Sequence, residues 1–77
     1  MPPSAILVKP LDDYMLEVGF DNGEYRIFDV KPYLAFPSFK GVAQCFHTVH
    51  IAGLSIEWNT GADICPDELY YDSEPIR

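Results

Sequence analysis

Two cysteines and two histidines, Cys45, His47, His50 and Cys65, are the donor types of a structural zinc site, where thiolates and imidazoles close a tetrahedron around the metal. Their spacing argues against that use. On one strand His47 and His50, an odd number of residues apart, point to opposite faces of the sheet. The run C-x-H-x2-H also matches none of the common finger patterns. The plainer reading is small buried thiols and half-exposed histidines, with no metal. The same residues offer a Cys–His nucleophile pair. Cys65 precedes Pro66, where a helix N-terminus would favour the thiolate. Asp63, Asp67 and Glu68 surround it in sequence and push the other way. No glycine-rich oxyanion or phosphate loop accompanies the pair, so neither catalysis nor a cofactor is expected.

Asp63, Asp67, Glu68, Asp72 and Glu74 make the C-terminal segment acidic, without the D-x-D-x-D-G spacing of a calcium loop. They read as charge at a helix N-terminus followed by a solvated tail. Trp58, Tyr70 and Tyr71 are either core or contact surface, since Trp and Tyr are over-represented at interfaces. The candidate partner-binding residues are Trp58, Asp63, Asp67 and Tyr70. On a final helix Asp67 and Tyr70 share a face at i and i+3, while Leu69 anchors inward. The rival is a small-ligand-binding domain or minor enzyme with a pocket near Trp58, Cys65 and His50.

The elements that would hold these residues are organised around Tyr14–Val30. Asn22-Gly23 between two alternating apolar runs is a strong hairpin signal. A two-residue loop there sets Phe20 opposite Tyr25 and Val18 opposite Ile27. A three-residue loop ending in a left-handed Gly23 shifts the pairing by one and mixes these faces. Ala5–Lys9, apolar on both sides, reads as a buried strand beside one arm, stopped by Pro10. Phe39, Val42, Ala43 and Phe46 follow helical spacing and predict a short helix over Ser38–Phe46, capped by Ser38 and weakened by Gly41. A second hairpin follows, with His47–Ile51 and Ser55–Trp58 as its arms and Ala52-Gly53-Leu54 as its turn. Pro66, with Asp67 and Glu68 in the first turn, opens a final helix through Tyr70 or Tyr71. The expected order is β-β-β-α-β-β-α, an α+β fold with an antiparallel sheet and short helices packed on one side. It is one domain over 1–77, with its core at about 5–71 and frayed ends.

Composition narrows the function. The chain is 48% hydrophobic, too apolar for disorder even at a net charge of −7. Twelve acidic residues face five scattered basic ones, which disfavours direct binding to nucleic acid or to an anionic membrane. No apolar run approaches the roughly 20 residues that span a bilayer, and the N-terminal stretch lacks a basic n-region. A reducing cytoplasm is the expectation, with Cys45 and Cys65 as free thiols; a disulfide stays open, since sequence does not give their separation.

Phe20-Asp21-Asn22-Gly23, Phe28-Asp29-Val30, Phe46 followed by Val49, Ile56-Glu57-Trp58 with Gly61-Ala62-Asp63-Ile64, and Pro66-Asp67 with Leu69-Tyr70 resemble the bacterial domain-of-unknown-function family 2442. The resemblance departs from the common pattern around Pro37–Gly41. It implies three strands, a helix, two strands and a helix, and carries over no catalytic residues. Some family members precede a helix-turn-helix; others are encoded beside a second small protein, as in a toxin–antitoxin pair. The expected function is therefore a small cytoplasmic protein-interaction module, the partner or antitoxin-like member of a two-gene pair. It would bind another small protein or itself.

Overall fold

The computed structural model describes residues 1–76. Asp21-Asn22-Gly23 reverses the chain between β2 (Met15–Phe20) and β3 (Tyr25–Asp29). Gly23 has φ of 90° and donates its N–H to the Phe20 carbonyl at 3.0 Å, and the Phe20 N–H reaches the Glu24 carbonyl at 2.9 Å. This is the three-residue loop. It pairs Leu16 with Phe28 and Val18 with Arg26, so the two-residue register is displaced by one. The displacement sorts the side chains: Leu16, Val18, Phe20 and Phe28 are all buried on one face, where the other register would have split them. Glu17, Gly19, Tyr25 and Ile27 share the opposite face. Trp58 to Ala62 repeats the same loop. Gly61 has φ of 92° and donates to the Trp58 carbonyl, while the Trp58 N–H reaches the Ala62 carbonyl, both at 2.9 Å.

β1 (Ala5–Pro10) lies beside β2, bulged at Ile6 between the Ala5–Phe20 and Leu7–Gly19 pairs. It is an edge strand, with Ile6 exposed at the bulge and Leu7 exposed on the uncovered outer face, rather than a strand buried on both sides. Pro10, expected to stop the strand after Lys9, is instead its last residue, a position open to proline on an edge. Between β1 and β2, Asp13 and Tyr14 have φ of 61° and 58°, a rare backbone for a bulky side chain. Tyr14 is held there by the Val30 N–H on its carbonyl and by an edge-on contact with the Phe46 ring.

The helix expected over Ser38–Phe46 does not form. Residues 31–48 instead make three 3₁₀ turns, Lys31–Tyr33, Pro37–Phe39 and Ala43–Thr48. Lys40 is extended and Gly41 has φ of 88°, which interrupts any helix between them. The apolar stripe was still meaningful, because Phe39, Val42 and Phe46 are all buried.

β4 (His50–Ala52) and β5 (Ser55–Glu57) form the second hairpin, across Gly53-Leu54, and β6 (Asp63–Ile64) pairs with β5. This second sheet meets the first where the Ala5 N–H reaches the Leu54 carbonyl at 3.2 Å. α1 (Pro66–Tyr71) starts at Pro66 as expected and buries Leu69 completely. Residues 72–76, expected to fray, are bound: Ser73 is buried and β7 (Glu74–Pro75) pairs with β3. The strand order of the first sheet is β1-β2-β3-β7. One core joins both sheets, the 3₁₀ segment and α1, so the fold is α+β and a single domain. Among the described residues no helix is long and apolar enough to cross a membrane.

Candidate functional site

Trp58, the first of the expected contact residues, is fully buried. Its ring lies 5.7 Å from that of Phe39 and 5.9 Å from that of Phe46, and its Nε1–H donates to the Phe46 carbonyl at 3.2 Å. It is core, and no part of it can meet a partner. Asp63 is exposed on β6 opposite Glu57, and Asp67 is exposed on α1. The structure therefore does not gather the four residues into one patch.

Tyr70 is half-buried and engaged within the fold. Its hydroxyl donates to Glu24 Oε1 at 2.8 Å, and its ring packs edge-on against Phe20 with the Arg26 guanidinium 4.5 Å from its centroid. Arg26 also donates to Glu24 at 2.8 Å, to Ser73 Oγ at 2.7 Å and to the Ser73 carbonyl at 3.0 Å. The group ties the C-terminal segment to the first hairpin. The Tyr70 hydrogen bond, and after it Arg26, lowers the Glu24 carboxyl below its ordinary range. The same hydrogen bond, with burial second, raises the Tyr70 hydroxyl.

His47 lies in a 3₁₀ turn and His50 opens β4, so the opposite-face argument lacks its shared strand. His50 Nδ1 lies 2.9 Å from the Thr48 carbonyl, Cys45 Sγ donates to the Gly41 carbonyl at 3.3 Å, and both cysteines are free. Among the described residues no three His, Cys, Asp or Glu side chains converge to hold a metal. Cys65 lines a shallow depression of about 380 Å³ beside β5 and β6, which neither Trp58 nor His50 reaches. The pocket imagined around those three residues thus loses its aromatic centre.

Two other surfaces carry more. On the outer face of the first sheet, Leu7, Gly19 and Tyr25 form a row across β1, β2 and β3, which Ile76, just beyond β7, continues through its N–H on the Tyr25 carbonyl at 3.0 Å. Gly19 lets the Tyr25 ring lie flat across the sheet, since a Cβ there would stand 3.1 Å from the ring and 3.3 Å from Leu7. Leu7, Tyr25 and Ile76 stay 42%, 51% and 43% exposed, so this apolar row is uncovered. A groove of about 590 Å³ runs along it between Glu17, Glu24, Tyr25 and Ile76.

The second surface is a groove of about 410 Å³ between the 3₁₀ segment and α1, lined by Phe28, Asp29, Pro32, Tyr33, Phe36, Glu68 and Asp72. Phe28 and Phe36 flank the Tyr33 ring at 5.5 and 5.7 Å. Burial raises the Tyr33 hydroxyl above its ordinary value, and the charges of Glu68 and Asp72 add to the shift. The groove is thus aromatic and electronegative. Sequence reasoning passed over it, although Tyr33-Leu34-Ala35-Phe36 between two prolines was a visible signal, as was the i, i+4 pair Glu68 and Asp72.

A family model described as Protein of unknown function (DUF2442) matches residues 5–75. The chain belongs to this family. The DUF2442 match extends through β7, so the short last strand lies inside the matched region. No curated protein and no solved structure matches the chain.

Proposed function

We propose that this DUF2442 domain is a protein-interaction module that works by docking another small protein, or a second copy of itself, on exposed apolar surface. The observation that carries this reading is the uncovered row Leu7, Tyr25 and Ile76 on the outer sheet face. Burying such a row on a partner returns roughly 25 cal/mol for each Å² of apolar area removed from water. An acidic surface, with 12 Asp and Glu against five Lys and Arg, favours a basic protein partner over nucleic acid. Placement in the cytoplasm, as the partner or antitoxin-like member of a two-gene pair, completes the proposal.

The test is retention of a partner from the source cells by the tagged chain, with native mass spectrometry to weigh the complex. Stoichiometric retention by the wild type and its loss in Tyr25→Arg is the expected result. Tyr25 is half exposed, so that change should leave the fold intact. A chain that stays at its monomer mass and retains nothing would overturn the proposal, as would equal retention by Tyr25→Arg.

A further inference from the structure

We infer that the groove between the 3₁₀ segment and α1 is a docking site for an arginine-bearing segment of a partner protein. The inference rests on the interaction-module reading and adds the chemistry of the partner. The floor and wall of the groove are aromatic: Phe28 is buried beneath it, Tyr33 is partly covered, and Phe36 is 51% exposed with nothing over its outer side. The rim is anionic. Lys31 Nζ neutralises Asp29 at 3.1 Å, but Glu68 and Asp72 take part in no ion pair among the described residues.

The pair is also in conflict at the C-terminal end of α1, although Glu68 itself lies in the first turn, where an anion is favoured. They stand at i and i+4, where like charges repel, and Asp72 caps the C-terminal end, where the helix dipole favours a cation. No basic residue occupies the last turn. A cation bound between Glu68 and Asp72 would relieve both conflicts. A guanidinium suits the site better than an ammonium, because it can stack on Phe36 or Tyr33 while its fork of N–H donors addresses a carboxylate. A groove of about 410 Å³ has room for a neighbouring apolar side chain as well. The net charge of −7 would draw such a segment in at long range.

The experiment is an NMR titration of the intact chain with a short synthetic peptide of alternating arginine and leucine. Matched peptides carry glutamate or lysine in place of arginine. Amide shifts confined to residues 28–36 and 66–72, weakening as salt rises, are expected. The glutamate peptide should not bind, and the lysine peptide should bind more weakly. Glu68→Gln with Asp72→Asn, or Phe36→Ala, should each weaken binding by about tenfold; all three side chains are exposed, so the fold should persist. Shifts mapping elsewhere, equal binding of the glutamate peptide, or unchanged affinity in the Glu68/Asp72 variant would overturn the inference. A cellular partner that stays bound to that variant would sink the groove while leaving the module reading intact. A wild-type chain that retains no partner would remove both.

Discussion

Truncating Trp58 is the sharpest way to separate core from contact surface. The side chain is fully buried, wedged between the Phe39 and Phe46 rings, and its indole N–H satisfies the Phe46 carbonyl. Trp58→Ala therefore removes the largest fully buried side chain and leaves a cavity between two rings. A truncation of that kind costs about 3–5 kcal/mol. At about 0.05–0.15 kcal/mol per residue, 77 residues hold roughly 4–12 kcal/mol in total, so the loss is a large share of the whole. Trp58→Phe keeps an aromatic ring but removes one of two donors to the Phe46 carbonyl, which keeps the Val49 N–H at 3.3 Å, so the lost hydrogen bond costs about 0.5–1.5 kcal/mol on its own. Urea unfolding followed by far-UV circular dichroism measures both, since Trp58 is the one tryptophan and its fluorescence is lost on substitution. The expected order is wild type, then Phe, then Ala. A Trp58→Ala protein within about 1 kcal/mol of wild type would refute the reasoning, because a surface residue alone behaves that way. In the wild type, Trp58 emission should be blue-shifted and shielded from iodide.

Further outcomes follow from other parts of the fold. Gly23 and Gly61 have φ near 90° with no atom within 4 Å of an added Cβ, so alanine there costs only backbone strain, about 1–2 kcal/mol each by chemical denaturation. Gly23→Val should cost at least about 1 kcal/mol, and an unchanged melting temperature would mean that the loop tolerates φ < 0. Leu69→Ala should lower stability by about 2–5 kcal/mol, because Leu69 is fully buried against the core. Melting temperature against pH should show two limbs from the Glu24–Tyr70 bond. The folded Glu24 carboxyl lies below its ordinary 4.5, so its contribution is present above that pH and is lost as pH falls through the folded value. The Tyr70 hydroxyl lies above its ordinary 10.0, so its contribution is present below that pH and is lost as pH rises through the folded value. Glu24→Gln should flatten the acid limb; an identical profile would contradict the pairing.

What could be read from the residues beforehand, and what could not, divides along physical lines. The place of the first turn was legible because Asn22-Gly23 tolerates a left-handed backbone, but its length was not. Two- and three-residue loops use the same dipeptide, and only the burial of Phe28 on the same side as Leu16 and Val18 decides between them. The Phe39, Val42 and Phe46 stripe reported burial correctly and helix wrongly, because a 3₁₀ path around Gly41 brings the same residues inward. β7 was invisible, since two residues containing a proline carry no period; its partner strand and the Arg26–Ser73 bonds hold it. The candidate site fared worse. Trp58 and Tyr70 have the composition of an interface, but composition cannot tell an exposed ring from one held by Phe46 or Glu24. The electronegative groove needed Glu68 and Asp72 brought opposite Phe36, a long-range juxtaposition that spacing alone does not reveal.

The central claim is that this domain works by docking a protein on its exposed apolar surface. Amide hydrogen exchange, on the free chain and on its complex with whatever the source cells supply, tests it most directly. The account predicts slowed exchange in the complex along β3 and β7, beneath Tyr25 and Ile76, and at the groove between residues 31–36 and α1. Protection confined to the β4–β5 hairpin, or identical exchange with and without the retained protein, would contradict it.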